Sequence, residues 1–284
     1  MIGRQSIVCL FVLKEVPNIS DKTLLCIYPT NRSRLIDIVR FLIFVTLLFS
    51  SSAYAEDGYN RILAGMTPNS ITIIGETHKK PEAIEYFQSL ITSYLQQSKC
   101  LTITLEIASS QQSLLDGMTE GKAMATDIKI APAIDHLPFR DLLKKLTGIR
   151  KHNDCLKLIA IDAELELKTN RDEWMAIKLA EQIGQAPILA LLGSLHTLKK
   201  VDWNSAIVEK EPYVSEILVA RGFNVKSYPQ VWQDRACNLK ARLISSDEPD
   251  VSKLLNTKLF TLLNASKPET GTDIIDGIVL WECS

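Results

Sequence analysis

The stretch Ile71-Thr72-Ile73-Ile74-Gly75-Glu76-Thr77-His78 decides the fold: four strand-forming residues run into a glycine, a carboxylate and an imidazole, and a helical pattern from Pro81 to Leu95 follows at once. Strand, tight turn and helix start in that order open a βα unit. In a parallel α/β sheet such a turn lies at the carboxyl edge of the strands, where ligand crevices form. The pattern recurs in Ile188-Leu189-Ala190-Leu191-Leu192-Gly193-Ser194-Leu195-His196. Each copy is an apolar run, a glycine, two residues and a histidine. One G-x-x-H is weak evidence, but the chain has only four histidines and two of them stand at this same offset. Each could simply cap a helix or meet a loop carbonyl; a shared site accounts for both together.

Outward from these two motifs, strands and helices alternate. Ile84, Phe87, Leu90, Ile91 and Leu95 keep helical spacing after the first strand. A second strand, Leu101 to Leu105, runs into Glu106, with Ser109 or Ser110 as the cap of a helix through Leu114 and Leu115. Gly117, Gly121, Pro132 and Pro138 break up Asp116 to Leu137, an irregular helical excursion expected to act as a lid, and Phe139 to Leu146 resumes a helix. The third strand, Leu156 to Ile161, ends on Asp162, and a helix from about Asn170 to Ile183 is expected to turn Trp174, Ile177 and Leu179 to the sheet. Phe223 to Tyr228 predicts a fifth strand and Ile278 to Trp281 a closing one, while the polar tract before the latter resists organisation. The fold class is therefore α/β, a mostly parallel or mixed sheet covered by helices on both faces.

Four strands thus deliver polar groups at their carboxyl ends: Glu76 and His78, Glu106, Asp162, and His196. Such carboxylates and imidazoles suit zinc, manganese or iron. They can equally work without metal, one taking a proton from water while the others hold charge.

Net charge is −1 and aromatic residues are 7% of the chain, which argues against nucleic acid as a partner. Hydrophobic residues at 46% and charged ones at 23% suit a globular protein with a sizeable core. Near the start, Arg40, the apolar run Phe41 to Phe49 and the A-x-A site Ala53-Tyr54-Ala55 describe a secretory signal over residues 35–55, cleaved after Ala55. The apolar run falls short of the about 20 residues that span a bilayer, so no stable membrane span remains after cleavage. Residues 1–34 lack a clear period and read as a non-native extension, with translation starting near Leu35; residues 56–284 form a single domain. Export makes Cys100, Cys155, Cys237 and Cys283 candidates for disulfides in a periplasmic or secreted protein. Cys100 and Cys155 each stand directly before a strand, which favours their pairing and leaves Cys237 with Cys283; free buried thiols are the alternative.

G-E-T-H (Gly75 to His78), G-S-L-H (Gly193 to His196), the Glu ending the second strand and the Arg171-Asp172 pair that opens the intervening helix resemble the superfamily of erythromycin esterases, ChaN haem-uptake proteins and TraB/Tiki proteins, over about Asn60 to Trp281. The resemblance implies that His78, His196, Glu76 and Glu106 line an active site and that Arg171 is the family's basic residue. It also implies activities that range from lactone opening and metal-dependent peptidase action to haem binding. Ser194 and Leu195 fill positions that the family varies freely, and no cysteine follows the apolar run as in lipoprotein members. The leading expectation is a hydrolase of ester or peptide bonds in a small-molecule or peptide substrate. His78, His196 and Glu106 would bind a divalent metal or activate water directly, Glu76 would serve as general base, and Arg171 would steady an oxyanion or a substrate carboxylate. Asp162 would orient an imidazole, although Arg171 pairing within its helix and Asp162 capping one are equally open. The alternative is a haem or iron-ligand binder without turnover, with Tyr86, Tyr94 or Tyr228 as an oxygen ligand. His136 and His152 are expected to face solvent.

Overall fold

The computed structural model describes residues 8–11, 24–27, 58–164, 170–204, 212–233 and 239–283. The signal segment and Cys237 lie outside them. The chain divides into two compact units, Met1–Tyr54 and Ala55–Ser284. In the first, β1 (Val8–Phe11) pairs antiparallel with β2 (Leu24–Ile27), with Cys9 opposite Cys26.

The second unit is built on a seven-stranded sheet. It opens with a helix, α1, over residues 58–65. There follow β3 (Ser70–Glu76), α2 (Pro81–Leu95), β4 (Leu101–Ala108), α3 (Gln112–Thr119), α4 (Leu137–Arg150), β5 (Leu156–Asp162), α5 (Arg171–Ala180) and β6 (Ile188–Gly193). The rest is α6 (Val214–Ala220), β7 (Asn224–Trp232), β8 (Leu239–Ser245), α7 (Pro249–Lys258) and β9 (Gly277–Cys283). The strand order is β5-β4-β6-β3-β7-β9-β8. Every pairing is parallel except β8 with β9, so the sheet is mixed and mostly parallel, as the alternation of strands and helices predicts. From β3 the chain moves outward to β4 and β5, returns to insert β6 beside β3, and then leaves on the other side through β7. That reversal sets β6 and β3 at the switch of strand order, whose carboxyl ends leave a crevice.

β3 and β6 are buried along their whole lengths, as strands covered on both faces must be. Their side chains alternate between two cores. Ile74, Leu189 and Leu191 join Phe87 of α2 and Phe139 of α4 on one face. Ile71, Ile73, Ala190 and Leu192 meet Met175 and Leu179 of α5 and Leu218 of α6 on the other. Pro81 opens α2 where its missing N–H costs nothing, and Ile84, Phe87, Leu90 and Ile91 form its buried stripe.

Some local expectations need correcting. Ser109 does not cap α3; it starts a 3₁₀ turn, and its hydroxyl accepts from the Trp174 indole at 3.2 Å. Trp174 and Ile177 are only partly buried, because the Asn170 cap fixes the phase of α5 so that Met175, Ala176 and Leu179 meet the sheet. The start of α3, just before the irregular excursion, guards the sheet's edge. The Gln112 side chain donates to Leu158 O at 3.0 Å and accepts from Ala160 N at 2.8 Å, which occupies the open side of β5. The tract that resisted organisation holds β8 and α7. The expected Cys100–Cys155 bridge is present, joining the residues just before the paired starts of β4 and β5. Cys283 is also disulfide-bonded. Among the described residues no helix is long and apolar enough to cross a membrane.

Candidate functional site

The carboxyl ends of β5, β4, β6 and β3 are neighbours, and they bring all the predicted groups to one rim. The two G-x-x-H motifs interlock there. Ser194 donates from its hydroxyl across to Glu76 O at 3.0 Å, and within its own turn Thr197 donates to Ser194 O at 2.6 Å. A Cβ on Gly75 would stand 2.7 Å from Thr197 Cγ2 and 2.9 Å from Ser194 Cα, so this close passage needs glycine. Ser194, which the family resemblance leaves free to vary, is in this chain the tie between the motifs.

The two imidazoles face the same small volume. A Cβ placed on Gly193 would have His78 Cε1 and His196 Cδ2 each at 3.5 Å and Glu106 Oε2 at 3.8 Å. The two ring edges are therefore no further apart than twice that first distance. Each ring is held through Nδ1 by its own carboxylate: His78 by Glu76 Oε1 at 2.9 Å, and His196 by Asp172 Oδ1 at 2.6 Å. With Nδ1 committed, Nε2 is left for a ligand or a proton. The hydrogen bond to Glu76 holds the His78 pKa above its ordinary value; burial opposes this, and the charges of Glu76 and Glu106 add to it while Arg171 subtracts. His78 is 45% exposed and His196 only 12%. Glu76, expected as a spare general base, is instead 3% exposed and spends one oxygen on His78. Its Oε2 is buried without a partner.

Glu106 sits at a register irregularity between Leu105 and Ala108, which turns it across to β6. Its Oε2 accepts from Gly193 N at 2.9 Å and its Oε1 meets Arg171 Nη2. Asp162 does not orient an imidazole. Both its oxygens take Arg171 side-on, Oδ1 from Nε and Oδ2 from Nη2, each at 2.8 Å. Arg171, at the start of α5, is thus clamped by two nearly buried acids, and the bond to Asp162 chiefly raises its already high pKa. The residue that does orient an imidazole is Asp172, which sequence reasoning noted only as part of the Arg171-Asp172 pair. Its Oδ1 also accepts from Val214 N at 3.0 Å, and Asn170 caps the helix beneath it by accepting from Asp172 N and Glu173 N. Half-buried Tyr213 completes this side, edge-on to the His196 ring with centroids 6.1 Å apart.

The predicted metal set of His78, Glu106 and His196 does not form a ligand group. Among the described residues no three His, Cys, Asp or Glu side chains are grouped to hold a metal ion, and both Glu106 oxygens are already engaged. Of the proposed tyrosine ligands, Tyr94 and Tyr228 are core residues and Tyr86 packs against the core. Tyr86 packs edge-on to Tyr59 and Trp281, burial raising its pKa; Tyr94 is buried and donates to Met66 O; Tyr228 is buried and pushed up to about 12. His152 is exposed as expected. His136 is not, since its Nδ1 bonds Ile134 O at 2.8 Å and its ring stacks on Phe139. A cavity of about 1020 Å³ lies away from the rim, at the amino-terminal edge beside Cys100 and Cys155.

Fold and site together define an α/β protein with a mostly parallel sheet and a rim of two carboxylate-held imidazoles beside an acid-clamped arginine. No family model and no curated protein matches the chain. Among solved structures it is distantly similar to the ChaN of Campylobacter jejuni described with cofacial haem binding, at 13% identity and a TM-score of 0.42, over 62% of this chain and 87% of that one. The type III effector HopBA1 is similar at 8% identity and a TM-score of 0.40, over 75% of this chain and 88% of the effector.

Proposed function

We propose that the protein is a periplasmic or secreted hydrolase of ester or peptide bonds that activates water directly. The observation that carries this reading is the pair of imidazoles meeting beside Gly193, each locked through Nδ1 by its own carboxylate. His196 on Asp172 takes a proton from water through Nε2 as the oxygen attacks the carbonyl carbon. His78, whose protonated form Glu76 favours, meets the developing oxyanion and gives its proton to the leaving oxygen or nitrogen as that bond breaks. Arg171 is a fixed positive charge at the edge of the same volume. Glu76 and Asp172 position the imidazoles; Glu106 and Asp162 position Arg171. A disulfide between the starts of adjacent strands suits an oxidising compartment.

One observation favours a second reading. His78 is half-exposed with Nδ1 tied to a buried carboxylate, which leaves Nε2 as the nitrogen that would hold haem iron. Haem bound there would supply an iron centre for electron transfer or oxygen chemistry.

The experiment is a panel of p-nitrophenyl esters and short peptides assayed with a chelator present, beside a haem titration followed by visible absorbance. Turnover that His196→Ala and His78→Ala each abolish supports the hydrolase. A haem band lost only in His78→Ala, with no turnover on the panel, replaces it with the second reading.

A further inference from the structure

Three acids of the rim lie underneath, and two of its bases, His78 and Arg171, lie on top. Glu76, Glu106 and Asp162 are 3%, 7% and 10% exposed, and each is bonded to a base or an amide of the site. His78 and Arg171 are each 45% exposed, Lys79 is exposed, and Lys80 is half-buried with its ammonium over the Trp232 ring at 5.6 Å. Within the clamped guanidinium, Nε and Nη2 are consumed by Asp162 and Glu106. Nη1 holds no bond among the described residues, on a side chain that is 45% exposed. It is a donor held rigid by the acids beneath it, so a new partner gains its hydrogen bonds at little entropic cost.

We propose that the rim selects a substrate carrying a carboxylate close to its scissile bond, and that Arg171 Nη1 receives that carboxylate while Lys79 adds attraction from above. Nη1 carries two N–H groups, which suit the oxygens of one carboxylate. The inference rests on the rim as the ligand site and supplies the substrate class that the hydrolase reading lacks. It assigns Arg171 to the substrate's own anion and leaves the transition-state oxyanion to His78.

The test uses binding, so that it stands apart from turnover. The four histidines give ring proton signals, with His152, beyond the far end of α4, as the reference remote from the rim. The full chain is titrated at low salt with succinate, with neutral succinamide and with inorganic phosphate. Saturable movement of the His78 and His196 signals by succinate, at least ten-fold weaker for succinamide, is the expected result. Arg171→Gln should weaken succinate at least ten-fold, and Lys79→Gln, at an exposed position that leaves the clamp whole, about two- to three-fold. If Arg171→Gln fails to fold, the Lys79 variant and a raised salt concentration, which should weaken succinate but not succinamide, carry the same test. Equal binding of succinate and succinamide, tighter binding of phosphate, or unmoved His78 and His196 signals would overturn the proposal. Succinate binding without turnover on any ester would sink the hydrolase and keep the anion site.

Discussion

His196 and Asp172 are joined through Nδ1 and Oδ1 at 2.6 Å, across a sequence separation of 24 residues. The same carboxylate oxygen takes the Val214 amide, so the acid is fixed from two sides before it fixes the ring. Asp172→Asn keeps the size of the side chain but offers the wrong group to Nδ1–H. Turnover should fall about 10²- to 10⁴-fold, the range that a positioned general base contributes. The pH–rate profile should lose its base limb while the thermal midpoint moves little. A variant that retains full turnover with the same profile would remove Asp172 from the mechanism.

His78 should titrate above its ordinary value of 6.5, because the Glu76 hydrogen bond favours the imidazolium. A group whose folded pKa is raised contributes stability that is fully present below 6.5 and is lost as pH climbs through the folded value. Glu76→Gln should bring the His78 titration back toward or below the ordinary value and flatten this part of the stability profile. Ring signals followed against pH in both proteins measure the shift, and an unchanged midpoint in Glu76→Gln would contradict the assignment.

The central strands and the two motifs were legible because they are driven by pattern: fully buried parallel strands read as apolar runs, and Gly75 and Gly193 mark where they turn. β8 was not, since an edge strand is covered on one side and Lys240 and Arg242 interrupt it with charge. The site was legible as a set of residues and misread as a set of pairs. Sequence spacing puts Asp162 on an imidazole and gives Asp172 no role of its own. The choice between them depends on where α5 starts, and Asn170 sets that start by catching the amides of Asp172 and Glu173. Sequence spacing locates the strand ends, but which acid meets which base is decided by a few ångströms of loop.

The Cys100–Cys155 bridge closes 55 residues at the far end of the two strands that carry Glu106 and Asp162. In the chain-entropy model such a closure contributes about 4 kcal/mol. Cys100→Ser with Cys155→Ser should lower the denaturant midpoint by up to that amount and leave turnover under native conditions unchanged, because the bridge and the rim sit at opposite ends of β4 and β5. Loss of turnover in a folded double variant would show that the clamp on Arg171 depends on the bridge.

Gly75→Ala tests whether the interlock of the two motifs sets the geometry of the site. The added methyl would meet Thr197 Cγ2 at 2.7 Å, Ser194 Cα at 2.9 Å and Pro229 Cα at 3.0 Å, and two of these are backbone atoms with little room to yield. Overpacking of this kind costs about 1–3 kcal/mol, and any relief must part the turn that carries Glu76 and His78 from the one that carries His196. Stability and turnover should therefore fall together, and the Ser194 bond to Glu76 O should break. Gly148→Ala is the contrasting variant: it lies inside α4 with nothing within 4 Å of the new Cβ, so it should gain roughly 0.5–1 kcal/mol from helix propensity and leave turnover alone. If Gly75→Ala lowered stability while kcat and KM both held, the rings would be positioned by their carboxylates alone, and the contact between the motifs would serve packing only.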